Sequence, residues 1–108
     1  MSDFNYQIIM LCKSININYP NTYTLKKFPM NWEQCHIFLD SLALQGHDLK
    51  NIAVYNNESK SLRFYEPNGE YNYIEATVVK QISLPSLPTN IEDYKSLFGI
   101  TDTDFNYY

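Results

Sequence analysis

A chain of 108 residues with 44% hydrophobic and 16% aromatic side chains can bury one core, and it is too apolar for disorder over most of its length. Its net charge of −4, with only eight Lys and Arg and no cluster of them, argues against direct binding to a phosphate backbone. Two cysteines, no leader-like start and no apolar run longer than residues 8–12 predict a single intracellular domain over 1–108, with reduced thiols and no membrane contact.

Residues 6–17 read as a first strand. Tyr6, Ile8, Met10 and Cys12 alternate onto one face, and Ile9 and Leu11 make the other face apolar too, which predicts a central strand. Residues 16–21, with Pro20 inside, read as a turn into a second strand over 22–28 that Pro29 ends. A helix over about 31–45 follows: Asn31 is a good N-cap and Gln34 can complete a capping box. Trp32, Cys35, Phe38 or Leu39, and Leu42 form its apolar stripe, Glu33, His36 and Asp40 point elsewhere, and Gly46 supplies a left-handed stop.

Residues 51–55 and 61–65 predict two short strands joined by the polar link 56–60. Glu66-Pro67-Asn68-Gly69 then reads as a turn into a long strand over about 70–81. On that strand Tyr71, Tyr73, Glu75 and Thr77 share one face, while Ile74, Ala76 and Val78 share the core face. The prolines of Leu84-Pro85-Ser86-Leu87-Pro88 predict an extended connector. Thr89 and Glu92 offer a capping box for a short helix over about 90–98, which Gly99 ends. Residues 101–108 form an acidic, aromatic tail whose order the sequence leaves open. The predicted class is α+β: an antiparallel sheet of about five strands with both helices packed on one face.

Charge divides the chain. Residues 1–65 carry six basic and five acidic side chains, whereas 66–108 carry seven acidic (Glu66, Glu70, Glu75, Glu92, Asp93, Asp102, Asp104) and two basic (Lys80, Lys95). Such a half suits a basic partner, or simply a solvated acidic end; the sequence leaves both open. Catalytic patterns are weak. Cys35 and His36 are adjacent, and on a helix neighbours diverge by about 100°; Cys12 with His36 or His47 is left to the fold. Two Cys and two His lack zinc spacing. Gly46, Gly69 and Gly99 are all spent on stops and turns, and Asp102-x-Asp104 ends before an EF-hand loop could form. The expectation is a protein without a catalytic site, metal or cofactor.

The run Lys27-Phe28-Pro29-Met30-Asn31-Trp32-Glu33-Gln34-Cys35, continuing at Ile52-Ala53-Val54-Tyr55-Asn56, resembles part of the ArdA-type antirestriction proteins. More broadly the chain is similar to small phage and plasmid counter-defence inhibitors, anti-CRISPR proteins included. The resemblance implies a DNA-mimic-like inhibitor in the host cytoplasm that occupies a basic nucleic-acid-binding or target-recognition surface of a defence nuclease complex, a protein or ribonucleoprotein. Members of the ArdA type are longer and far more acidic, so mimicry by the whole surface is not implied. Its contact surface here would comprise Glu66, Glu70, Tyr71, Tyr73 and Glu75 with Asp102, Asp104, Phe105, Tyr107 and Tyr108 of the tail. The alternative reading is a structural or accessory module that forms a homodimer through exposed tyrosines.

Overall fold

The computed structural model describes residues 5–13, 23–70 and 73–99. The predicted turn at 16–21 and tail at 101–108 lie outside the described residues, as does Tyr71. Five strands and two helices follow in the order β1 (Tyr6–Lys13), β2 (Tyr23–Met30), α1 (Trp32–Leu44), β3 (Ile52–Asn56), β4 (Ser61–Glu70), β5 (Tyr73–Ser83) and α2 (Ile91–Phe98). The strands form one antiparallel sheet in the order β2-β1-β3-β4-β5. The α+β class and the five-stranded antiparallel sheet are therefore as predicted.

The helices depart from expectation: they cover opposite faces of the sheet. Ile8, Val54 and Tyr65 meet Cys35, Leu39 and Ala43 of α1. Ile9, Ala53, Tyr55, Leu62 and Phe64 meet Tyr94, Leu97 and Phe98 of α2. The physical reason lies in β1, which is flanked by β2 and β3. Its successive residues Ile8 and Ile9 are both fully buried on opposite faces, so each face needs its own cover.

Local signals set the helix ends. Asn31 Oδ1 accepts from Gln34 N at 2.8 Å, and Gln34 Oε1 accepts from Asn31 N at 3.1 Å, closing the capping box. At the other end Gly46 takes φ +83°, with Gly46 N donating to Ala43 O and His47 N to Leu42 O. In α2 the cap is Asn90, whose side chain accepts from Asp93 N, rather than Thr89. The predicted stripe on α1 is only partly core: Cys35 and Leu39 are buried, but Trp32 is exposed, stacked with His36 and tilted against the Tyr6 ring.

Both proline expectations change. β2 continues through Pro29 to Met30, because it is an edge strand and a missing N–H need cost no ladder bond there. Glu66-Pro67-Asn68-Gly69 is strand, not turn. β4 and β5 stay paired out to Glu70↔Tyr73, and Gly69 is not in the left-handed region. β3 pairs with β4 only as far as Phe64, so beyond it Pro67 borders a side that no described strand occupies. Val78, next to a register shift at Phe64/Tyr65, is exposed rather than core, while Ile74 and Ala76 pack against the core as expected.

Candidate binding face

The distal half of the β4–β5 hairpin projects beyond β3 as a two-stranded arm. Cross-strand partners point to the same face, so the pairs Glu66↔Thr77 and Asn68↔Glu75 place Glu66, Asn68, Glu75 and Thr77 in one row. The ladder ends at the Glu70↔Tyr73 pair, the next register position of the same row. Tyr65, Ile74 and Ala76 take the other face and close over the α1 core.

A hydrogen bond from α1 also holds this arm. Asp40 Oδ1 accepts from Ala76 N at 2.8 Å, and its other oxygen lies 3.1 Å from His36 Nε2. The Ala76 N–H therefore points away from β4, and in an antiparallel ladder Pro67 opposite it also turns its backbone outward. A proline is tolerated in the arm for that reason. Asp40 was legible in the sequence only as a polar residue off the stripe; its reach to a strand 36 residues away had no sequence signal.

Glu66 is exposed and Glu75 half-buried. The ion pairs between described residues, His36–Asp40 and Lys95–Glu92, include neither carboxylate. The root of the arm is less acidic. Lys80 lies over the Phe64 ring at 5.1 Å, and Lys50 and Lys80 line a depression that Glu66 also borders. Of the predicted contact residues, the fold thus aligns Glu66 and Glu75. It puts the backbone of Glu70 and Tyr73 at the end of that row, and Asp102, Asp104, Phe105, Tyr107 and Tyr108 lie outside the described residues.

The groups weighed for chemistry separate as follows. Cys35 is buried on the inner side of α1, and burial pushes its thiol up to about 11, while His36 is exposed beside Asp40. Cys12 and His47 line one depression with Asp48 and Asn51, without a hydrogen bond between thiol and imidazole. Among the described residues no group of three His, Cys, Asp or Glu side chains is placed to hold a metal, and no helix is long and apolar enough to cross a membrane.

Comparison of the chain with protein-family models, with curated proteins and with solved structures finds no match.

Proposed function

We propose that the protein acts by binding rather than by catalysis, as a counter-defence inhibitor from a phage or mobile element. The acidic row of the β4–β5 arm meets a basic nucleic-acid-binding or target-recognition surface of a host nuclease complex in the cytoplasm. The observation that supports this reading is the alignment of Glu66 and Glu75 on one face of the arm. Carboxylates placed this way steer association with Lys and Arg on a partner. The short reach of charge through salt solution makes such binding weaken as ionic strength rises.

The test is inhibition of DNA cleavage by restriction and RNA-guided nuclease complexes at low and high salt. Replacing Glu66, Glu70 and Glu75 together by Lys is expected to abolish inhibition while far-UV circular dichroism stays unchanged. Inhibition that survives in this triple variant defeats the site assignment, and cleavage unaffected by the wild-type chain in every complex defeats the function.

A further inference from the structure

Asn68 is the one asparagine of the chain that a glycine follows. It stands exposed in the row that holds Glu66 and Glu75, and Gly69 beside it is exposed too. Nothing in the backbone requires glycine there. Gly69 is not in the left-handed region, and a Cβ built on it would meet only Ile74 Cγ1 at 3.5 Å, an ordinary contact. Gly46 and Gly99, by contrast, both take positive φ. What the missing side chain leaves open at Gly69 is the approach to its own nitrogen.

The ladder sets where that nitrogen points. Ala76 N donates to Asp40, away from β4, so Pro67 opposite it turns outward. By alternation Asn68 turns inward to Glu75, and Gly69 turns outward again. Gly69 N–H therefore faces the side of β4 that no described strand occupies. The neighbouring amide is also less restrained than others in the chain. Asn31, Asn56, Asn57 and Asn90 each accept a hydrogen bond on Oδ1. Among the described residues, no such bond holds the Asn68 side chain.

We infer that Asn68 is a self-modifying site, at which the amide becomes a carboxylate without an enzyme. Gly69 N forms a bond to Asn68 Cγ, the Cγ–Nδ2 bond breaks, and the backbone amide proton leaves with Nδ2 as ammonia. Water then opens the cyclic imide. Its hydroxyl adds at Cγ, the bond from Cγ to Gly69 N breaks, and Gly69 N recovers a proton, which leaves an aspartyl residue in an unbroken chain. Opening at the backbone carbonyl instead leaves the isoaspartyl linkage. Either way an amide and a water become a carboxylate and an ammonium ion. A nucleophile in the adjacent residue makes the attack intramolecular, and asparagine is a thermolabile side chain. Extended backbone keeps Cγ and Gly69 N out of line, so the reaction goes through opening of the arm's end. That opening is local, because Asn68 lies beyond the Asp40–Ala76 bond where β4 has β5 as its only described partner. The product sets a further carboxylate beside Glu66 and directly opposite Glu75, and it makes the formal charge of −4 more negative. On the inhibitor reading, on which this consequence rests, the row then holds a basic surface more tightly at low salt.

Peptide mapping by mass spectrometry of the full chain, kept folded at neutral pH for several weeks, tests the site. The peptide holding Asn68 is expected to gain the mass difference between an amide and an acid and to split into aspartyl and isoaspartyl forms. Peptides holding Asn31, Asn56, Asn57 and Asn90 should stay intact over the same period. Gly69→Ala should slow the conversion several-fold with far-UV circular dichroism unchanged, because the added Cβ has room. Asn68 that survives intact in the wild type, or a conversion that Gly69→Ala leaves at the same rate, overturns the inference. Asn68→Asp should strengthen inhibition of nuclease cleavage at low salt but not at high salt, and equal inhibition by both forms at low salt defeats the consequence for the row. The conversion is read on the protein alone, so it and the inhibitor reading fail separately.

Discussion

The two faces of the sheet use the same residue type differently. On the α2 face, Tyr55 donates its hydroxyl to Leu84 O at 2.7 Å, and Tyr94 donates to Pro88 O at 2.8 Å. Both rings are buried in the same cluster, so two tyrosines pin the proline-rich connector and the eight-residue helix that follows it. On the α1 face, Tyr65 is equally buried, but its hydroxyl closes no hydrogen bond. Burial raises its pKa, and the nearby Arg63 guanidinium opposes that rise. The long, well-capped α1 uses no tyrosine hydroxyl in this way: aliphatic packing along its inner side and the Asp40–Ala76 bond secure it. A short helix with little area to bury needs directional bonds as well.

That contrast can be broken experimentally, and the largest effect belongs to the aliphatic face. Leu39 is 1% exposed at the centre of the α1 cluster, so Leu39→Ala is expected to cost about 2–5 kcal/mol in denaturant unfolding. A cost under 1 kcal/mol would show that α1 is not held by its aliphatic packing.

Alkaline pH should act on the same face. The Cys35 thiol is raised from 9.0 to about 11 in the fold, so between those values the unfolded chain loses a proton that the folded chain keeps. The thiol's contribution to stability is therefore level below pH 9 and falls as pH rises from 9 to 11. Tyr65, raised from 10.0, adds to the fall above pH 10. Cys35→Ala should flatten the pH 9 to 10 part of a stability profile; an unchanged slope there would contradict the thiol's burial.

The smallest effects separate the tyrosines. Tyr94→Phe should cost about 1 kcal/mol by leaving the Pro88 carbonyl without its donor, whereas Tyr65→Phe should fall within about 0.5 kcal/mol of zero or stabilise slightly. Equal losses in thermal or denaturant unfolding would erase the difference between the faces.

The candidate site was half legible in the sequence. Strand alternation places Tyr73, Glu75 and Thr77 on one side of β5, and the observed register keeps that parity. The addition of Glu66 to the same row depended on pairing, since residues 66–69 carry turn chemistry and only the ladder to β5 holds them extended. The exposed aliphatic side chains of α1 had a signal that was easy to pass over. Ile37 and Leu44 fall outside the stripe of Cys35, Leu39 and Leu42 on a helical wheel, but nothing in the sequence tells which apolar residues a sheet will leave uncovered.

By itself the sequence determined the elements whose causes lie within a few residues. The Asn31–Gln34 box opens α1, Gly46 closes it, and alternation makes β1 a central strand of an antiparallel sheet. Interactions between distant residues decided the rest. Burial of both Ile8 and Ile9 sends the two helices to opposite faces, and the Asp40–Ala76 bond ties the arm to α1. A side of β4 that no described strand occupies lets Pro67 remain in a strand. A cap or a period is written in neighbouring side chains, whereas the side of a sheet, and the company a strand keeps there, exist only once distant segments have met.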